Sequence, residues 1–352
     1  MSFCWNTLSK ISDATYIRIG LLWIVIASVA KCIQHIDEMH QKRLLQDQTH
    51  LAEALEMPVR DVSAYPGLED FLQRHPVYIS LSTIPKRIGY IEDVLRSIDL
   101  RWVEKVFIAV PERFTRTNEE YHIPASLLFH EKVEIIKAEK DEGPITKLLP
   151  ALEKVRGAQN GDALLIVLDD DYIYPRGLVL EHAYAVWQGK KTSASSAIVA
   201  QLGEKAKMPH AYRINKTVLQ RIFTQKDPRL VHGVGSIGFL ASAVDENMVR
   251  AILAYEQKQG SNDCYLSDDA VLSYMLQKKG VEIQHINTKY LSHPMLQPLR
   301  AATEIDAIHN IPALEKTWNW LGKGKDPSAI EVRLARCFTT IAQYQATENM
   351  MD

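Results

Sequence analysis

Few cysteines, few glycines and no long apolar run mark this 352-residue chain, and each shortage excludes a class of protein. The four cysteines, Cys4, Cys32, Cys264 and Cys337, lie far apart, with no C-x-x-C pair and no Cys/His spacing of the structural zinc kind. A disulfide scaffold and a zinc module are therefore not expected, and all four are read as structural thiols that behave as small hydrophobes. Excess charge is also missing: Lys and Arg number 41 against 43 Asp and Glu, a net charge of −2 with no block of one sign. That excludes a broad basic footprint, so nucleic acid is not expected as a partner. No internal repeat or low-complexity tract is present. What remains, 46% hydrophobic and 24% charged residues, is the composition of a globular chain with a full core.

Near the N-terminus the run Ile19 to Ala30 has twelve residues without a charge and is bracketed by Arg18 and Lys31. A bilayer core takes about 20 apolar residues, so the run is short, although flanking cations can snorkel and extend it over Tyr16 to Ile33. No small-residue cleavage site follows it, which argues against a signal peptide. It is read as a signal anchor, single-pass or peripheral, or as an interfacial or core helix. Without membrane association a cytoplasmic location is expected. Lys10 and Arg18 before the run and Lys31, Lys42 and Arg43 after it give no orientation.

Past that segment the composition predicts three regions. Residues 36–74 are polar, with Ile36, Met39, Leu44, Leu51 and Leu55 at helical spacing, and read as a helical stem after an N-terminal hydrophobic segment over 1–35. Pro58, Pro66 and Gly67 punctuate it. A catalytic domain is expected over 75–300. There, short runs rich in Val, Ile and Leu (Val77 to Leu81, Val103 to Val110, Val133 to Ala138, Ala163 to Leu168, Ala197 to Gln201, Val281 to Ile286) alternate with helical patterns over Tyr90 to Ile98, Ile145 to Val155, Gly177 to Trp187, Glu246 to Gln257 and Asp268 to Lys278. Alternation of this kind predicts an α/β fold, a mostly parallel sheet flanked by helices. Residues 301–352 form a C-terminal helical extension, with Ile330, Leu334, Cys337, Ile341 and Tyr344 on one face of a closing helix.

Several clusters carry chemistry. The run Ala163 to Leu168 leads straight into Asp169, Asp170 and Asp171, a D-x-D pattern. Ligands of parallel α/β sheets bind outside the carboxyl ends of the strands, so these side chains are expected in the functional crevice. Strand alternation puts Asp169 and Asp171 on one face and Asp170 on the other. Adjacent carboxylates repel, and a hard cation such as Mg²⁺ or Mn²⁺ relieves that repulsion while binding phosphate oxygens. The segment from Asp141 to Lys147 joins a strand to a helix through Gly143 and Pro144, placing Lys147 beside a helix N-terminus that suits phosphate. At the end of the first strand, the hydroxyls of Ser82 and Thr83, with Arg87, can hold a nucleotide base, ribose or phosphate.

Two further stretches are weaker. The segment from Gly233 through Gly235 to Gly238 fits G-x-G-x-x-G but has no good preceding strand and comes late in the chain, so a dinucleotide site is rejected. Its glycines are read as allowing close backbone approach to a sugar, or a kinked strand. Ser267, Asp268 and Asp269 open a helical pattern. The two carboxylates there are about 100° apart, so one can cap while the other faces a cleft as a general base.

In this order, over residues 77 to 295, the clusters resemble a glycosyltransferase of the GT-A fold, the nucleotide-diphospho-sugar transferase superfamily. The resemblance implies a Rossmann-related sheet and metal-dependent sugar transfer from a nucleotide-sugar donor to a glycan, lipid or protein acceptor, with Mn²⁺ or Mg²⁺ as cofactor. It implies that Asp169 contacts ribose or metal, with Asp141 and Asp170 on the donor side. Asp171 would bind the cation, and Asp269 or Asp268 would deprotonate the acceptor hydroxyl. A late histidine is a metal ligand in some members, which nominates His293, with His309 behind it. The sequence departs from the common late Glu-Asp pattern at Ser267 to Asp269. The competing readings are a sugar-1-phosphate nucleotidyltransferase and a catalytically dead, membrane-tethered binding protein of the same fold. The first usually opens with a Gly-rich loop, which Ser82 to Arg87 lacks. Asn215 and Thr217 complete a glycosylation sequon, which does not fix the compartment.

Overall fold

The computed structural model describes residues 13–56, 59–157, 162–189, 193–196, 199–202, 211–212, 214–223, 228–231, 236–286, 297–298 and 329–350. The chain divides into two compact units, Met1–Thr49 and His50–Asp352.

Helix α1 runs unbroken over Asp13–Glu56. In the first unit Leu22, Trp23, Ile24, Val25, Ile26, Val29, Ile33 and Ile36 of α1 are exposed. Among the described residues no helix is long and apolar enough to cross a membrane. In the second unit the segment expected as a polar stem joins the core: Leu51, Ala54, Val62, Tyr65 and, from helix α2 (Leu68–Arg74), Leu68 and Phe71 are all buried.

The second unit is built on seven strands: β1 (Val77–Ser82), β2 (Val103–Pro111), β3 (Val133–Ala138), β4 (Leu164–Leu168), β5 (Ser193–Ser196), β6 (Ser236–Leu240) and β7 (Glu282–His285). Their order across the sheet is β7-β5-β6-β4-β1-β2-β3. Strand β1 pairs in parallel with β2 and β4, β2 with β3, and β5 with β7, while β6 is antiparallel to both its neighbours. One reversed strand in a mostly parallel sheet agrees with the expected fold class. Helices α3 (Ile91–Ser97), α4 (Leu149–Gly157), α5 (Leu178–Gln188), α6 (Glu246–Lys258) and α7 (Asp268–Lys278) cover the faces, with α8 (Ala329–Glu348) closing the described chain.

Side-chain alternation divides the core. Leu164, Ile166 and Leu168 of β4 join a cluster with Val77, Ile79, α3 and α5, whereas Leu165 and Val167 face one with Leu149, Val271 and Phe338. Every residue of β4 is buried, which is why it reads as a continuous apolar run.

Three expectations need correction. The apolar run expected over Ala197 to Gln201 is not the sheet strand. That strand is the serine-rich β5, and Val199–Leu202 pairs instead in a separate three-stranded sheet. The hydroxyls of β5 and β6 make this possible: fully buried His182 of α5 bonds Ser195 Oγ through Nδ1 and Ser236 Oγ through Nε2, both at 2.8 Å. Second, of the glycines in the glycine-rich segment only Gly238 is among the described residues. This residue lies in the buried strand β6, where an added Cβ would sit 2.9 Å from His182 Nδ1, so its smallness serves packing. Gly233 and Gly235 lie outside the described residues. Third, Cys264 and Cys337 are joined by a disulfide across 73 residues, tying the segment before α7 to α8. Cys32 is free and exposed.

Candidate functional site at the carboxyl end of the sheet

The chain leaves β1 for β2 and β3 on one side, then returns to lay β4 on the other side of β1. Strand order reverses there, and ligands of open α/β sheets bind at the carboxyl ends flanking such a point. The two strands at that point deliver Arg87, five residues past β1, and the aspartates that follow β4.

Asp169 is fixed through its backbone. The hydroxyl of fully buried Tyr174 accepts from Asp169 N at 2.9 Å and donates to Asp169 O at 3.0 Å. Its carboxylate then meets Lys147: Nζ lies 2.7 Å from Asp169 Oδ1 and 2.8 Å from Asp268 Oδ2. Lys147 ends the short 3-10 turn Gly143–Lys147, and Ser80 Oγ in the middle of β1 donates to its carbonyl. Arg87 pairs with the other two aspartates, Nη2 to Asp170 Oδ1 and Nη1 to Asp171 Oδ2, each at 2.8 Å. The expected alternation therefore fails. The extended strand stops at Leu168 and the chain turns at Asp170, so Asp170 and Asp171 share one guanidinium while Asp169 goes to Lys147.

Lys147 is buried, and burial by itself disfavours its charge. The carboxylates of Asp169, Asp268 and Asp269 outweigh that and hold its pKa well above the ordinary lysine value. Five carboxylates thus gather around two cations. The imbalance falls on Asp171: burial first, then the Asp170 charge, push its pKa up to about 7 against the pull of Arg87. Burial likewise raises Asp169, with Lys147 opposing. Asp170 Oδ2 and Arg87 Nε are buried without a hydrogen-bond partner, a costly condition in a folded interior.

These features suit a divalent cation in its donor chemistry. Surplus hard carboxylate oxygens, one of them buried and unsatisfied, are what such an ion binds. Among the described residues no group of three or more His, Cys, Asp or Glu side chains forms a ready-made ligand set. The oxygens of Asp169 and Asp171 point to Lys147 and Arg87 instead.

Other expected site residues are placed as follows. Asp141 accepts from Thr115 N at 3.0 Å and Gly143 N at 2.9 Å, and so fixes the turn leading to Lys147. Thr83 is buried, donates to Ile84 O at 3.3 Å and accepts Tyr121 Oη at its carbonyl. Ser82 closes β1, half-buried. Asp268 and Asp269 open α7, half-buried, with Asp268 on Lys147. His293 and His309 lie outside the described residues. Sequence reasoning missed Ser80 and Tyr174. A serine inside an apolar strand was the available signal for the first, and Tyr174 gave none.

No family model matches the chain, and no curated protein matches it. Among solved structures, the chain is similar to one titled "Crystal structure of GalNAc-T7 with UDP, GalNAc and Mn2+", at 8% identity and a TM-score of 0.34 over 60% of this chain and 42% of that one. The chain thus spans less than half the length of that structure. The chain is an α/β protein whose acidic centre, bridged by Lys147 and Arg87, sits at the carboxyl edge of a mostly parallel sheet.

Proposed function

We propose that this chain is a glycosyltransferase, moving a sugar from a nucleoside-diphosphate donor to an acceptor hydroxyl. One observation carries the reading: Lys147 bridges the strand-end Asp169 and the helix-start Asp268, bringing the two clusters of opposite halves of the chain into one charged centre. In this reading Arg87 and Lys147 orient the donor diphosphate by charge. Asp171, with the unsatisfied oxygen of Asp170 beside it, would hold a divalent cation, which when bound neutralises charge on the departing diphosphate. Asp269, beside Asp268 at the start of α7, is taken as the general base. Its carboxylate takes the proton of the acceptor hydroxyl as the oxygen bonds to the anomeric carbon and the carbon–oxygen bond to the diphosphate breaks. General-base help of this sort contributes about 10²- to 10⁴-fold.

The acceptor, whether glycan, lipid or protein, is set by surfaces beyond this centre. The exposed apolar residues Leu22 to Ile26 of α1 support membrane association as an anchor or interfacial helix, checked by partition of the chain with vesicles. The activity is tested by incubating the chain with a panel of sugar nucleotides and Mn²⁺ and following free nucleoside diphosphate. Release of nucleoside diphosphate supports the reading. Pyrophosphate formed from a sugar 1-phosphate and a nucleoside triphosphate would replace it with nucleotidyl transfer, and silence in both assays would leave a binding protein.

A further inference from the structure

The segment Ser261 to Ser267 connects α6 to α7 and delivers Asp268 and Asp269. It is held from beneath by Glu256 in the last turns of α6, only 1% exposed. The carboxylate takes three donors, all from this segment: Oε1 accepts from Cys264 N at 2.6 Å and from Ser261 Oγ at 3.3 Å, and Oε2 accepts from Tyr265 N at 2.9 Å. Charge-assisted bonds to backbone amides are among the stronger ones a protein makes. The same two residues are tied elsewhere. Cys264 is bonded to Cys337 of α8, and the Tyr265 ring packs on Gly143, where an added Cβ would lie 2.9 Å away, with its hydroxyl 3.5 Å from Asp141 Oδ1. Gly143 needs its left-handed φ of +72° to make this turn. Three residues beyond Tyr265, Asp268 reaches Lys147, which ends the very turn that Gly143 begins.

We propose that Glu256 is a positioning residue for the candidate base: by gripping the amides of Cys264 and Tyr265, it sets where α7 starts, and so where Asp268 meets Lys147 and Asp269 is presented. This rests on the glycosyltransferase reading for its catalytic consequence, though not for the grip itself. Glu256 touches no substrate in this account. It acts through the segment, and a shift of about 1 Å at a reacting group can cost roughly 10²-fold in rate.

The test compares wild type, Glu256→Gln and Ser261→Ala. Gln keeps the side-chain volume but turns an amide donor toward a backbone N–H, and Ser261→Ala removes the weakest of the three bonds together with the hydroxyl's own contacts to Asp263. Hydrogen exchange at the amides of Cys264 and Tyr265 reads the grip. Transfer kcat, against donor affinity measured by calorimetry, reads its consequence. The expected result for Glu256→Gln is faster exchange at both amides and a kcat lower by roughly 10-fold or more, with donor affinity unchanged within about twofold; Ser261→Ala shows the same pattern more weakly. Should Glu256→Gln fail to fold, Ser261→Ala decides alone. Unchanged exchange overturns the proposal, as does faster exchange with unchanged kcat or a loss confined to donor affinity. Were the wild type to transfer no sugar at all, the glycosyltransferase reading would fall, while exchange at Cys264 and Tyr265 would still uphold or overturn the grip.

Discussion

Replacing Lys147 by Met tests the centre most directly. Met fills a similar volume but removes the ammonium that lies 2.7 Å from Asp169 and 2.8 Å from Asp268, at a site where the lysine side chain is only 9% exposed. Breaking a buried pair by deleting one partner typically costs about 3 to 5 kcal/mol, because a desolvated charge is left behind. Here the loss has a ceiling. Asp169, whose pKa burial already raises, can escape by taking a proton, and at pH 7 that costs roughly 4 kcal/mol for an ordinary carboxyl at about 1.4 kcal/mol per unit. A carboxyl with a folded pKa above its unfolded value binds more protons when folded. Stability is then fully present below the unfolded value and falls as pH rises through the folded one. The variant should accordingly lose about 3 to 4 kcal/mol at pH 7 and up to roughly 3 kcal/mol less than that at pH 5. Urea unfolding of wild type and variant at both pH values measures this, with an unchanged m-value certifying that only stability moved. Adding Asp169→Asn to Lys147→Met should restore more than half of the loss at pH 7. An equal loss at both pH values, or no rescue by Asn, would refute the picture of Lys147 as the neutraliser of these carboxylates.

Asp171→Asn should weaken donor binding at least tenfold in calorimetry while flattening the fall in wild-type stability between pH 4 and 7, since it removes a carboxyl whose folded pKa is about 7. His182 has the opposite sign. Burial lowers its pKa to about 3, so the unfolded chain binds its proton first, and stability is lost as pH drops from about 6.5 toward 3 at up to roughly 1.4 kcal/mol per unit. His182→Gln should make acid unfolding less steep, and an unaltered slope would locate the acid sensitivity elsewhere. Gly238→Ala, whose Cβ would sit 2.9 Å from both His182 Nδ1 and Ser195 Oγ, should cost about 1 to 3 kcal/mol in thermal unfolding, and a neutral result would show that this contact gives way freely.

How much of this was legible in the sequence depended on what each element buries. Strands β1, β2 and β4 and helix α7 bury long apolar stretches, so their letters announce them; the bounds of β3 and α7 match the sequence reading to the residue. Strands β5 and β6 bury hydroxyls and a glycine against His182, a polar solution that mimics a loop in hydrophobicity. At the centre, the order of the clusters was readable, but the partners of the carboxylates were not. Strand alternation governs side chains only while the chain stays extended, and it turns right after Asp169. Nor does spacing reveal that Lys147 spans to Asp268 or that Cys264 finds Cys337, since both contacts close over a distance set by the folded sheet.

The sulfur bridge has a topological side as well. It closes a ring of chain that includes α7 and β7, so one nick by a protease anywhere between Tyr265 and Arg336 would sever the polypeptide without releasing the terminal helix. A ring closed over a sequence separation of 73 also removes about 4 kcal/mol of freedom from the unfolded chain in the entropic account, so the two ends would stay neighbours even while the rest came apart.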